Sequence, residues 1–361
     1  MKIFVPDHIM SLKPYVPGKP LEEIQREYGI TDAIKLASNE NPLGPSPLAV
    51  EAIEKSAQKL HRYPNGGGYD LIAAIAARLE VERDNVVLGN GSDDIIVMLA
   101  RVLLQPGDEA ILPRPSFLMY DLAVRACGAT PVGIPLKSYG IDLAGMLEHI
   151  GPATRLVFVN NPHNPTGALI SRTALESFID ALPPDIVLVI DEAYIEFVRE
   201  ENCPSSIEYL GLDKIIIGLR TFSKAYGLAG LRIGYGVMPA VFAEIINRIR
   251  QPFNVNSLAQ AAAAAALTDE GFLENTVQLV HNELDFLYAA LDALGIDYVK
   301  SQANFILIKV EKNADEVFEN LLRQGVIVRS MTSYGYPDCI RVNVGLHDEN
   351  VRFLAALEKV L

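Results

Sequence analysis

The sequence contains few cysteines, and they follow no spacing typical of a metal site or a disulfide framework. Cys127, Cys203 and Cys339 are the only three in 361 residues. Such isolated cysteines indicate a reducing compartment. The six histidines also lack zinc-site spacing, and no Gly-x-Ser-x-Gly elbow is present. We therefore expect no resident metal ion and no serine-hydrolase chemistry.

Long apolar runs and an excess of positive charge are also absent. The longest uncharged stretch, around residues 261–266, is too short to span a bilayer, and the first residues lack the apolar core of a signal peptide. Since 31 basic residues stand against 45 acidic ones, the formal net charge is −14. This balance argues against a nucleic-acid or membrane partner. We predict a cytoplasmic protein that must hold any anionic ligand with local arginines.

Strand and helix patterns alternate from about residue 47 onward. Continuous apolar runs such as 156–159, 186–190 and 215–219 are typical of strands buried on both faces of a mostly parallel sheet. After Pro239 several helices follow one another, and the remaining strand patterns are separated by helices. The predicted fold is therefore α/β, with a mostly parallel mixed sheet sandwiched by helices and a smaller α+β domain.

The same pattern predicts three divisions of the chain. Residues 1–46 are broken by prolines and form an N-terminal arm that contributes to the site and the small domain. Residues 47–260 form the large, ligand-binding domain. Residues 261–361 form the small domain and include a long linking helix.

Two of the predicted strands are followed by segments suited to an anionic or polar ligand, which such sheets bind at the carboxyl ends of their strands. Gly91, Ser92 and Asp93 lead into a helix, so backbone N–H groups can form an anion nest. Taken alone, this segment is better explained by Ser92 as a plain helix cap. Asn164 lies between two prolines after another strand, where its amide can donate to a ligand or simply belong to a turn.

The strand over residues 186–190 ends at Asp191, and Tyr194 follows closely. A carboxylate after five apolar residues is desolvated unless it meets a cation, and a pyridinium nitrogen is one such cation. A helix cap or an internal ion pair with an arginine is the alternative interpretation of Asp191.

Lys224 follows the strand over residues 215–219 and lies among small and hydroxylic residues. A buried amine is costly unless it has a task, and a nearby cation such as Arg232 would help to keep it neutral as a nucleophile. A lysine that extends its amine to solvent is the alternative.

Together these strand ends match the needs of pyridoxal 5'-phosphate. Asp191 would keep the ring nitrogen protonated, and Lys224 would form a Schiff base and then move the proton at the substrate α-carbon. Asn164 and Tyr194 would bond the ring hydroxyl. The phosphate would be held by the nest of residues 91–93 with Thr221, Ser223 and Arg232.

The chain resembles the fold-type-I pyridoxal-phosphate aminotransferases over essentially its whole length. The resemblance is carried by residues 164–167, 191–194 and 223–232, which match in order and approximate spacing. Residues 12–20, 36–42 and 62–64 resemble histidinol-phosphate aminotransferases in particular. This resemblance implies transamination of histidinol phosphate with 2-oxoglutarate and glutamate in histidine biosynthesis.

The resemblance also implies several residue roles and an assembly. It implies a homodimer with shared active sites, in which Tyr63 reaches the neighbouring subunit's cofactor phosphate. Phe117 would stack on the pyridine ring, and Arg341 would hold the acidic group of the substrate. Because histidinol phosphate carries a phosphate there, Arg329 and Tyr15 would join Arg341; a surface ion pair is the alternative interpretation of Arg329.

Three other functions remain open at this point. An aromatic amino-acid aminotransferase would use the same arginine for a carboxylate. A phosphothreonine decarboxylase shares the scaffold and the need to bind phosphate. A non-catalytic regulator would need a DNA-binding module, for which the first forty residues leave no room, and the intact Lys224 also counts against it.

Overall fold

The computed structural model describes residues 4–14, 26 and 29–361. Within these residues, a central sheet has seven strands in the spatial order β2-β8-β7-β6-β5-β3-β4. Its strands are β2 (Val86–Gly89), β3 (Glu109–Arg114), β4 (Thr130–Pro135), β5 (Thr154–Asn160), β6 (Val187–Asp191), β7 (Ile216–Thr221) and β8 (Gly234–Val237).

The central sheet is parallel except at β8, which runs antiparallel to both β2 and β7. The middle strands β5 and β6 are buried along nearly their whole length, since helices cover both faces. This arrangement explains why their sequences read as continuous apolar runs with no alternation. The predicted mixed, mostly parallel sheet is confirmed.

The helices of the described chain lie mostly where the sequence pattern predicts them. In chain order they are α1 (Asp7–Met10), α2 (Pro47–Ala57), α3 (Tyr69–Leu79), α4 (Ser92–Leu103), α5 (Leu118–Ala126), α6 (Leu143–Glu148), α7 (Arg172–Ala181), α8 (Ala240–Ile249), α9 (Ser257–Ala266), α10 (Glu270–Leu294), α11 (Ala314–Arg323) and α12 (His347–Val360). None of these helices is long and apolar enough to cross a membrane.

A smaller antiparallel sheet is built from the C-terminal part of the chain. Its order is β12-β13-β10-β9, and its strands are β9 (Tyr298–Val299), β10 (Phe305–Lys309), β12 (Arg329–Ser330) and β13 (Cys339–Asn343). Two further strands, β1 (Ile34–Lys35) and β11 (Val326–Ile327), form a separate parallel pair.

The apolar run over residues 326–328 predicts one strand, and in the structure strand β11 covers only its first two residues before β12 begins at Arg329. Val326 and Ile327 pair with β1, whereas Arg329 and Ser330 turn to pair with β13. Val328 lies between the two strands, and the change of pairing partner coincides with the end of the apolar run, since Arg329 and Ser330 are polar. The strand β1 was not predicted, because a two-residue strand in a proline-broken arm depends on its distant partner.

Helix α10 joins the small sheet to the rest of the molecule. It begins after Asp269, whose carboxylate accepts from the Phe272 N–H at 3.3 Å, and it ends at Gly295 in the left-handed conformation. Its buried face includes Val280, Leu284 and Leu287, the spacing expected for one helix face. Truncating such a leucine to alanine costs about 2–5 kcal/mol of stability.

The core under the small sheet also reaches the end of the central sheet. Leu36 from the N-terminal part, Tyr194 after β6 and Ala225 after β7 pack in the same cluster as Phe305 of β10. Residues from all three predicted divisions of the chain therefore surround one region. The boundaries at residues 46 and 260 remain a prediction.

Candidate active site

A cavity of about 260 Å³ lies between the carboxyl ends of the central strands and the small sheet. Most of the predicted site residues line it, namely Ser92, Asp93, Phe117, Asn164, Asp191, Tyr194, Thr221, Ser223, Lys224, Arg232, Arg329 and Arg341. Strand ends from different parts of the sequence thus converge on one place, as expected for an α/β sheet.

Lys224 points its amine into this cavity. Its Nζ donates to the Ser38 carbonyl at 3.0 Å and lies 5.9 Å from the centre of the Tyr194 ring. Burial, followed by the nearby guanidinium of Arg341, lowers the pKa of Lys224 to about 8. Arg232, which the sequence suggested as the neutralising cation, contributes less than Arg341. Much more of the amine is therefore neutral near physiological pH than for an ordinary lysine, although the protonated form still predominates there.

Asp191 is buried at the end of β6 and forms no ion pair within the described residues. Its Oδ2 accepts from the Tyr120 hydroxyl at 2.6 Å, and its Oδ1 accepts from the Ala193 N–H at 3.1 Å. Burial raises its pKa to about 6. The ion pair with an arginine belongs instead to the next residue, Glu192, which meets Arg220 at 2.9 Å.

The segment expected to form an anion nest, residues 91–93, lies at the start of α4. Gly91 is the N-cap, so Ser92 is the first helical residue and not the cap. Gly91 has φ +83°, and a Cβ there would lie 2.6 Å from a guanidinium nitrogen of Arg232. Asp93 accepts from Arg232 at 3.4 Å. The backbone N–H groups and the Arg232 cation together suit a phosphate.

Thr221 and Ser223 line the same cavity as this segment. The Thr221 hydroxyl accepts from the Ser223 N–H at 3.0 Å, and the Ser223 hydroxyl accepts from Arg232 at 3.4 Å. Both side chains are buried. The Arg232 bond to Ser223 and its ion pair to Asp93 are long enough to exchange for stronger bonds to an anion.

Asn164 and Tyr194 also line the cavity. The Asn164 Oδ1 accepts from Arg341 at 2.6 Å, which leaves its amide nitrogen as a donor. The Tyr194 hydroxyl accepts from the Asn39 amide at 2.9 Å, and burial raises the pKa of Tyr194 to about 12. Asn39 carries no local sequence signal that would predict its contact with Tyr194.

Arg341 and Arg329 are direct cross-strand neighbours on β13 and β12. Arg341 is only 6% exposed and donates to the Ala37 carbonyl at 3.1 Å as well as to Asn164. Its Nε has no hydrogen-bond partner within the described chain, and it forms no ion pair there. A buried guanidinium without an anion is costly, so this corner of the cavity favours an anionic ligand group.

Three further predictions have different outcomes. Phe117 lines the cavity, and its ring meets Tyr120 edge-on at 5.6 Å. Tyr63 is 83% exposed, lies outside the cavity of its own chain and stacks on Phe253 at 4.8 Å. Tyr15 lies outside the described residues.

Comparison with known proteins identifies the family of this chain. Residues 31–357 match the family described as aminotransferase class I and II. The chain belongs to this family.

Among curated members, the histidinol-phosphate aminotransferase of Moorella thermoacetica is 46% identical over 98% of this chain and 92% of its own length. Histidinol-phosphate aminotransferase 2 of Carboxydothermus hydrogenoformans is 48% identical over 97% of both chains. These relatives are similar along the whole aminotransferase, not only at the motifs.

Solved aminotransferase structures share the fold. The histidinol-phosphate aminotransferase of Sinorhizobium meliloti, solved in complex with pyridoxal-5'-phosphate, superposes with a TM-score of 0.91 at 29% identity, covering 99% of this chain and 97% of that one. A double mutant of Thermus thermophilus aspartate aminotransferase superposes at 0.85, with 25% identity and full coverage of both chains. The fold-type-I architecture is thereby confirmed.

The residues present in this aminotransferase fit pyridoxal phosphate. The Arg232 guanidinium lies so close to Gly91 that any side chain there would have to displace it from the nest. Lys224 supplies an amine of lowered pKa for an aldehyde, and Asp191 supplies a buried carboxylate with no cationic partner in the described chain. These three features correspond to the phosphate, the aldehyde and the ring nitrogen of the cofactor.

Proposed function

We propose that this chain is a pyridoxal-phosphate-dependent aminotransferase that acts on histidinol phosphate, with 2-oxoglutarate as amine acceptor, in histidine biosynthesis. The choice of substrate rests on one observation: Arg341 and Arg329 are cross-strand neighbours on two adjacent strands, and both line the cavity. A phosphate dianion offers more acceptor oxygens than a carboxylate and matches two guanidinium groups better. The names of the similar curated proteins support the same substrate.

The chain's own residues have defined tasks in this proposal. Lys224 holds the cofactor and, with its lowered pKa, takes the proton from the substrate α-carbon and returns it. Asp191 holds the proton on the ring nitrogen. When bound, pyridoxal phosphate supplies an electron-withdrawing ring that stabilises the negative charge left at the α-carbon.

The remaining side chains orient the cofactor and the substrate. Arg232, Ser223 and Thr221 hold the cofactor phosphate with the nest at residues 91–93, and the Asn164 amide with the Tyr194 hydroxyl bonds the ring hydroxyl. Phe117 covers the ring. Arg341 and Arg329, with Tyr15, hold the substrate phosphate.

A spectral half-reaction tests the substrate. Protein loaded with pyridoxal phosphate is mixed separately with histidinol phosphate, phenylalanine and phosphothreonine, and the visible band of the bound cofactor is followed. We expect rapid loss of the band with histidinol phosphate and much slower loss with phenylalanine. A preference for phenylalanine would make the chain an aromatic aminotransferase. A persistent band with release of carbon dioxide from phosphothreonine would identify a decarboxylase.

We also propose a cytoplasmic homodimer with shared active sites. Tyr63 and Phe253 form an exposed aromatic stack outside the chain's own cavity, and a second copy would bury this stack and receive Tyr63 at its cofactor phosphate. Mixing inactive Lys224→Ala protein with Tyr63→Ala protein tests this arrangement, because each hybrid dimer contains one complete site. Activity that does not exceed the sum of the two variants would exclude shared sites.

A further inference from the structure

Tyr120 lies in the first turn of α5 and reaches the carboxylate at the end of β6. Its hydroxyl donates to Asp191 Oδ2 at 2.6 Å, and neither side chain is appreciably exposed. Within the described residues, Tyr120 is the only side chain that donates to this carboxylate. The other donor is the backbone N–H of Ala193. The local sequence shows only a tyrosine on the apolar face of a helix, so it does not reveal this contact.

The Tyr120 ring is fixed by packing on two sides. It stacks on Phe158 with the ring centres 4.6 Å apart and the planes 10° apart. Phe117 meets it edge-on at 5.6 Å. Because both contacts restrict rotation of the ring, the hydroxyl stays directed at Asp191.

The electrostatic surroundings of Asp191 make this bond important. Burial raises the pKa of Asp191 most, and the carboxylates of Asp93 on α4 and Glu192 next in the chain raise it further. The Tyr120 hydroxyl and the Ala193 N–H act in the opposite direction. Burial holds the pKa of Tyr120 itself well above its ordinary value, so Tyr120 remains a donor at every working pH.

We propose that Tyr120 is a positioning residue whose hydroxyl keeps the Asp191 carboxylate ionised and fixed, ready to hold the proton on the cofactor's ring nitrogen. The proposal rests on the proposed function for its purpose, although the hold of Tyr120 on Asp191 is a property of the protein alone. Tyr120→Phe removes the hydroxyl and keeps the ring stack.

The expected effect depends on pH. Losing a hydrogen bond to a charged group raises the pKa of Asp191 from about 6 by about 1.5. The variant must then ionise Asp191 before it can hold the cofactor. Its dissociation constant for pyridoxal phosphate, relative to wild type, rises about fifteenfold at pH 6 and about fourfold at pH 7, with no change at pH 9.

Equilibrium titration of the cofactor-free full chain with pyridoxal phosphate at these three pH values is the test. Tyr288→Phe is the matched control, since its hydroxyl accepts from the Ser301 N–H at 2.9 Å in the small domain, outside the cavity. We expect no pH-dependent change in this control. A loss of affinity in Tyr120→Phe that is equal at all three pH values, or no loss at all, would overturn the proposal.

A second measurement separates this inference from the proposed function. Carboxyl ¹³C NMR of aspartate-labelled, cofactor-free protein, with Asp191→Asn to assign the signal, gives the pKa of Asp191 directly. A higher pKa in Tyr120→Phe supports the hold of Tyr120 on Asp191 even if the wild type binds no pyridoxal phosphate, which would refute the proposed function alone. An unchanged pKa would refute the role of Tyr120.

Discussion

Replacing Lys224 with methionine should make the cofactor-free protein more stable while abolishing its activity. Methionine keeps the apolar length of the side chain but carries no amine to desolvate. The one hydrogen bond lost, to the Ser38 carbonyl, faces the cavity, where water can replace the donor. The expected gain therefore comes from the unfavourable burial of the charge on Lys224.

The size and pH dependence of this gain follow from linkage. The pKa falls from 10.5 in the unfolded chain to about 8 in the folded protein. As the pH drops below 10.5, the unfolded chain binds a proton that the folded chain binds only below about 8, so the penalty grows through this window. At about 1.4 kcal/mol for each unit of pKa difference, the penalty is at most about 3 kcal/mol at pH 7 and about 1 kcal/mol at pH 10.

Urea unfolding of cofactor-free wild type and Lys224→Met at pH 7 and pH 10, at one protein concentration, measures the difference. Lys300→Met is the control, because Lys300 is exposed and its replacement should give the same small difference at both pH values. A variant less stable than wild type at pH 7, or a gain that does not shrink at pH 10, would refute the reasoning.

Three other substitutions test separate parts of the site. Gly91→Ala should weaken the binding of pyridoxal phosphate about tenfold or more, because the added methyl group displaces Arg232. The control is Gly107→Ala, which is also at positive φ but has open space around it. Both variants should lose about 1–2 kcal/mol of stability, but Gly107→Ala should keep the wild-type affinity for the cofactor in the same titration. Arg329→Ala should raise the KM for histidinol phosphate about tenfold or more and the KM for phenylalanine far less. Arg323→Ala, at an exposed helix end, is the control. A dedicated phosphate site would be excluded if Arg329→Ala raised both KM values equally, or if Arg323→Ala had the same effect as Arg329→Ala. Asp191→Asn should bind the cofactor more weakly, lose most of its turnover in steady-state kinetics and keep the unfolding midpoint of wild type; near-normal turnover would make Asp191 purely structural.

The central sheet and most of its ligand-facing residues could be predicted from the sequence. Strands β5 and β6 are buried on both faces, so residues 156–159 and 187–190 are apolar without interruption, and the polar Asn160 and Asp191 mark where these runs end. In a parallel sheet these ends meet at one edge, which places Asp191 and Lys224 together without any knowledge of side-chain packing. Local pattern and a single topological rule suffice for this part of the site.

The partners of these residues were decided only by the tertiary structure. Tyr120 and Asp191 are 71 positions apart, Asn39 and Tyr194 are 155 apart, and Arg341 and Asn164 are 177 apart. None of these separations has a period that a helix or strand would impose, because each contact depends on how one element packs on another. The lowered pKa of Lys224 has the same origin, since burial and Arg341, not the nearby Arg232, contribute most to it. The sequence by itself thus determined which groups stand at the strand ends, and packing decided how each one is charged and held.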